Sequence, residues 1–189
     1  MNVYKEEQKY TSQQFNEIGF AIGEYEQCEF INCNFANTDL STCSFVDCEF
    51  KGCDLTGCRI DQTAFKGVKF NECKLLGLRF DTCSKTLLAF SFAKSNLSFC
   101  SFYGLKIKGT IFADCSLCEV DFTEADATNV AFKESDLDRA IFENTNLHNA
   151  DLRSAFNFQI DPERVQLKNA RFSRNTIDGL LTKHSIRLE

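Results

Sequence analysis

An all-β chain wound as a narrow solenoid, with a corner in every five-residue unit, is the fold predicted by this 189-residue sequence. Three regularities predict it. The first is apolar spacing: every fifth residue from Phe15 to Phe80 is large and apolar, and after a slip of two residues the spacing resumes from Leu87 to Leu152. Of these 28 centres, 27 are Leu, Ile, Phe or Tyr, types that fill only 51 of the 189 positions, and Ala127 is the exception. The second is cysteine placement. Nine of the 11 cysteines (Cys28, Cys33, Cys43, Cys48, Cys53, Cys58, Cys73, Cys100 and Cys115) stand two residues before a centre; Cys83 continues that register just before the slip, and only Cys118 falls outside it. The third is glycine: Gly52, Gly57, Gly67, Gly77, Gly104 and Gly109 stand two residues after a centre, where a turn needs conformational freedom.

A period of five suits neither regular element. On an α-helix each step of five rotates by about 140°, so the apolar residues would wind around every side. On one continuous strand an odd period would send successive apolar residues to opposite faces. The backbone must bend within each unit to keep every centre pointing inward. Residues flanking the centres are mostly Asp, Glu, Asn, Ser, Thr, Lys and Arg, as solvent-facing positions should be.

Residues 1–12 read as an N-terminal cap, with Val3 and Tyr4 covering the open end. Residues 13–154 carry the repeat, with the two-residue insertion near 81–86 bulging at a corner. Residues 155–189 form an irregular last coil, a capping helix and a tail, with Pro162 at a former centre. From Asn175, an N-cap type, a short α-helix is expected, with Ile177, Leu180 and Leu181 as its apolar stripe. It would hide the last unpaired edge. The alternating tail 184–189 reads as a final strand.

Composition excludes several classes of function. A net charge of −6 argues against direct nucleic-acid binding. No apolar run approaches the ~18 residues that span a membrane. The polar start MNVYKEEQKY has no signal-peptide core, so a cytoplasmic chain with reduced cysteines is expected. With only His148 and His184 and no Gly-rich phosphate loop, no catalytic, metal or cofactor site is expected. The cysteines read as small buried hydrophobes. Fifteen of the 20 phenylalanines occupy repeat centres and are core, whereas Phe99 and Tyr103 fall at outward positions.

Charge is the informative surface signal. Between Asp114 and Glu143 stand nine carboxylates (Asp114, Glu119, Asp121, Glu124, Asp126, Glu134, Asp136, Asp138 and Glu143) against Lys133 and Arg139. A solvated surface accounts for this count. So does a partner-binding surface that imitates the closely spaced charge of DNA and enters a basic groove.

The units Thr38-Asp39-Leu40-Ser41, Cys53-Asp54-Leu55-Thr56-Gly57, Ser135-Asp136-Leu137 and Ala150-Asp151-Leu152-Arg153 resemble the A(D/N)LXX unit of the pentapeptide-repeat family. The resemblance implies a right-handed quadrilateral parallel β-helix, four units to the coil and a short C-terminal α-helix as cap. The repeat would then make about seven coils at ~4.8 Å each. The Leu-bearing ending is similar to that of the quinolone-resistance (Qnr-type) and microcin-immunity subgroup. That similarity implies a homodimer through the C-terminus, with Ile186 and Leu188 as contacts. It also implies mimicry of DNA toward a protein partner, DNA gyrase or topoisomerase IV, and protection from a topoisomerase poison. The alternative is an interaction scaffold for some other partner.

Overall fold

A computed structural model describes residues 2–184. They form a parallel solenoid whose strands, in chain order, are β1 (Val3–Glu6), β2 (Lys9–Thr11), β3 (Gly23–Glu26), β4 (Glu29–Ile31), β5 (Ser44–Val46), β6 (Glu49–Lys51), β7 (Ala64–Lys66), β8 (Val68–Asn71), β9 (Phe90–Ala93), β10 (Ile111–Ala113), β11 (Ala131–Lys133), β12 (Asp151–Leu152) and β13 (Arg171–Phe172). Four sides repeat in turn. The first stacks β1, β3, β5 and β7; the second stacks nine strands from β2 to β13. The third and fourth sides are ladders of single bridges, such as Asn34↔Asp54 and Ser101↔Asp121. Nine stacked strands leave eight spacings, a rod about 38 Å long at ~4.8 Å per coil. That exceeds the length counted from the repeat, because Lys9–Thr11 and Arg171–Phe172 also pair into the second side.

The register is the period made visible. Phe30 pairs with Phe50 and Phe50 with Phe70, steps of twenty residues, or four units. Phe70 pairs with Phe92, a step of 22 that absorbs the insertion.

Which sides become strands follows from the residue before each centre. Where it is Asp or Asn, its side-chain oxygen accepts the N–H two residues on: Asp54 from Thr56, Asn96 from Ser98, and Asn146 from His148, each at 3.0 Å. This local bond folds the unit into a turn and competes with an extended ladder. Among the described residues no strand of three or more residues has Asp or Asn at that position, and β12, which has Asp151, is only two residues long. The next outward residue takes a left-handed conformation, with φ of 52° at Asn32, 59° at Asn37 and 63° at Gly52.

The centres fill the axis. On the second side rings stack coil upon coil, Phe30 on Phe50 at 4.7 Å and Phe92 on Phe112 at 5.2 Å, while Phe112 meets Phe122 edge-on at 6.0 Å. Such offset and edge-on pairs are the favoured aromatic geometries. The positions two before the centres do more than fill space. Thiols there donate to the carbonyl of a centre one coil earlier: Cys53 to Phe30 at 3.2 Å and Cys58 to Phe35 at 3.0 Å. Thr63 and Thr145 do the same at 2.8 Å to Leu40 and Phe122. Thr38 lacks such a partner; Phe15, the centre one coil earlier, lies in a short α-turn (Phe15–Ile18).

Several expectations are corrected. Leu87 is not a centre: it is 75% exposed in a left-handed conformation, and the second phase of the inward column starts with Phe90 and Phe92. The bulge spans residues 84–89 and replaces the strand of the first side in that coil, slightly later than 81–86. Tyr4 does not cover the open end; it is exposed and donates to Glu26. The C-terminal α-helix is instead two 3-10 turns, Ile177–Leu180 and Thr182–His184, without a side-chain N-cap. Gly179 sits against the Phe158 backbone, where a Cβ would collide, and its carbonyl accepts Ile160 N at 2.9 Å. Of the expected stripe, Leu180 packs on the core and Ile177 stays exposed. Ile186, Leu188 and the expected tail strand lie outside the described residues.

Candidate protein-binding face

The solenoid sorts outward residues by their place in the twenty-residue coil, not by their order along the chain. The nine carboxylates between Asp114 and Glu143 therefore do not form one stripe. Asp136 and Asp138 lie on the third side, with Glu119 at its corner toward the fourth. Asp121 and Glu143 lie on the fourth side, with Glu124 at its far corner. Asp126 belongs to the first side, while Asp114 and Glu134 sit at the corner between the second and third.

Many of these groups are engaged. Asp121, Asp126 and Asp136 are turn-formers, accepting the N–H of Thr123, Thr128 and Asp138. Arg139 pairs with Glu119 at 2.8 Å and Asp138 at 3.3 Å, Lys108 with Asp126 at 3.0 Å, and Arg164 with Glu143 at 2.9 Å. Exposed pairs of this kind contribute little to stability. They do reduce the field of the local run.

A different concentration of charge emerges when the chain is read by side. The fourth side carries Asp39, Asp61, Asp81, Asp121, Glu124 and Glu143, and continues over the turn with Asp161 and Glu163. Against these eight stand Arg59, Arg79 and Arg164, with Lys183 reaching in from the C-terminal turn. The second side, with its corner, has the opposite balance, including Lys51, Lys69, Lys94, Lys133, Arg153 and Arg171. The rod is thus polarised across its axis. A linear window along the chain does not show this, since Asp39, Asp61, Asp81 and Asp121 lie 20 or more residues apart; they align only in coils of about twenty.

Within the fourth side the groups differ. Arg79 grips Asp81 through two hydrogen bonds, at 2.8 and 2.6 Å, and holds that carboxyl below the usual carboxylate range. Tyr103, 45% exposed, donates to Glu124 at 3.1 Å, and this bond pushes the phenol pKa up. Phe99, at the corner that opens this side, is 57% exposed. His148 is half-buried on the first side.

A family model described as the pentapeptide repeat region matches residues 24–91 and 106–181. The chain belongs to the pentapeptide-repeat family. No curated protein matches its sequence. Among solved structures it is similar to full-length QnrB1, a plasmid-mediated fluoroquinolone resistance protein, at 19% identity and a TM-score of 0.50, covering 97% of this chain and 100% of that one. A trypsin-treated QnrB1 variant matches at 20% identity and a TM-score of 0.49, over 100% of this chain and 99% of that one. HetL, a pentapeptide repeat protein involved in heterocyst differentiation regulation from the cyanobacterium Nostoc, matches at 17% identity and a TM-score of 0.37, over 90% and 85%. The likeness is one of fold. Among the described residues no helix is long and apolar enough to cross a membrane.

Proposed function

We propose that this protein is a non-catalytic rod that works by binding another protein. Its acidic fourth side would enter a basic nucleic-acid groove in place of DNA, as on a type II topoisomerase, and protect that enzyme from a poison in the cytoplasm. The observation that carries this reading is the one-sided charge: eight carboxylates against four cations along one side of a rigid rod. Repeated negative charge along a straight, incompressible body is what such a groove is built to receive. A homodimer through the C-terminus would lengthen the rod.

The test is a gyrase supercoiling assay with and without a quinolone, titrating this protein. Restored supercoiling in the presence of the drug, and binding that weakens as salt rises, are expected. Charge reversal should use Asp61→Lys, Glu124→Lys and Glu143→Lys, which spare the carboxylates that form turns. No binding to purified gyrase at low ionic strength would refute the topoisomerase assignment. A second reading, a binding rod for a different protein, is favoured by the exposed Phe99 and Tyr103, which charge mimicry does not require.

A further inference from the structure

Phe99 stands out among the outward residues. At the corner between the third and fourth sides the other coils place Asn37, Gly57, Gly77, Glu119 and Arg139. Phe99 takes the same left-handed conformation, with φ of 65°, and is 57% exposed. A bulky residue is a genuine outlier there, and its ring gains nothing from the aqueous side. The ring is absent from the aromatic stacks of the core, which run through Phe102 and Phe112 in the same region. Strain and exposure at one residue direct attention to function.

Its surroundings define what it would bind. Tyr103, in the same unit-long side of the same coil, exposes a second ring whose hydroxyl is held by Glu124. Ser101 lies between them, bridged to Arg79 of the preceding coil and Asp121 of the next. Asp81 is already satisfied by Arg79. Asp121 uses Oδ1 on Thr123 N, and Glu124 uses Oε2 on Tyr103, so each presents another oxygen. Two aromatic faces beside two carboxylates suit one cation above others. A guanidinium stacks on aromatic rings and pairs with carboxylates through its planar fork, whereas an ammonium is a compact, strongly hydrated charge. Aromatic and arginine pairs of this sort dominate the energy of protein interfaces.

Resting on the reading that the fourth side binds a protein, we infer that Phe99 and Tyr103 are its anchors and that they seat an arginine-bearing segment of the partner. Charge complementarity selects a basic segment, and the exposed rings select arginine over lysine.

Fluorescence anisotropy with labelled octa-arginine and octa-lysine peptides tests this. The variants are Phe99→Asn, Tyr103→Ser and their combination, with Glu49→Gln on the second side as control. Asn tolerates the left-handed conformation, so thermal melting of Phe99→Asn should be no lower than that of the parent. The parent should prefer octa-arginine, and the double variant should lose about tenfold in octa-arginine affinity while octa-lysine changes little. Equal affinity for the two peptides, or a loss below about twofold in the double variant, would overturn the inference. The same variants are then measured on purified gyrase. If gyrase does not bind while the arginine preference holds, the topoisomerase assignment falls and the anchors stand.

Discussion

The Cys48 thiol donates to the Tyr25 carbonyl oxygen across 3.2 Å, from one coil to the coil before it. The relationship recurs with Cys53 and Phe30, Cys58 and Phe35, and Cys73 and Phe50. It ties the inward cysteine column to backbone that the side ladders leave with an inward-facing acceptor. Burial pushes the Cys48 thiol up to about 12, so it remains a donor at every physiological pH.

Replacing Cys48 tests whether the column is filler or donor. Cys48→Ala removes the thiol's bond to the Tyr25 carbonyl and should cost about 0.5–1.5 kcal/mol. Cys48→Thr keeps a donor of the kind seen at Thr63 and Thr145, and should cost less. Urea unfolding of both variants checks the order; equal losses would reduce the thiol to a space-filler.

The axial rings hold the rod together. Phe122 is fully buried, between Phe102 at 5.4 Å and Phe142 at 5.2 Å. Phe122→Ala, and likewise Phe50→Ala, should lose roughly 3–5 kcal/mol, the range for buried aromatics. Unaltered melting would contradict the inward column.

Two glycines of the same rank in the repeat should respond differently. A Cβ on Gly67 would run into Asp47 Oδ1 of the coil before, at a φ of 69°, and Gly67→Asn should cost about 1–3 kcal/mol. Gly104 has the same left-handed backbone but open space around it, so Gly104→Asn should fall within about 0.5 kcal/mol of the parent. Chemical denaturation distinguishes crowding between coils from backbone conformation alone.

Stability should fall in acid through the turn and ion-pair carboxylates. Hydrogen bonds from Arg153, with Arg171 nearby, hold Asp151 at about 2, and Asp39 and Asp81 are also lowered. A carboxyl depressed in the folded state stabilises it above the unfolded value, near ~3.9, and that contribution disappears as pH drops toward the folded value. Melting temperature should be flat from about pH 7 to 5 and decline between about pH 4 and 2. Asp151→Asn should make that decline shallower; an unchanged slope would remove Asp151 from the account.

Much of the fold was legible because a repeat of five leaves few ways to keep one column dry. Counting failed at Leu87, since a frame that only counts residues accepts either Leu87 or Phe92 as its restart, and register decides. The split between strand and turn was also written in the residue before each centre, but it needs the Asp54–Thr56 type of bond to be seen as a competitor of the ladder. The end departs from its helical spacing because Ile177, Leu180 and Leu181 lie in a segment where Gly179 must lie flat on Phe158. The candidate face was hidden for a geometric reason: Asp61, Asp81 and Asp121 are distant in the chain and share one side.

The ten inward thiols have a consequence beyond packing. All 11 cysteines are unpaired, and all but Cys118 are buried. Once the coils open, the chain becomes a dense array of reactive sulfurs spaced five or more residues apart along much of its length, and disulfides trapped in that state cannot thread back into so narrow an axis. In the presence of oxidant, unfolding is then a one-way event, and the lifetime of the rod is set by how fast it first opens and by the reductant around it.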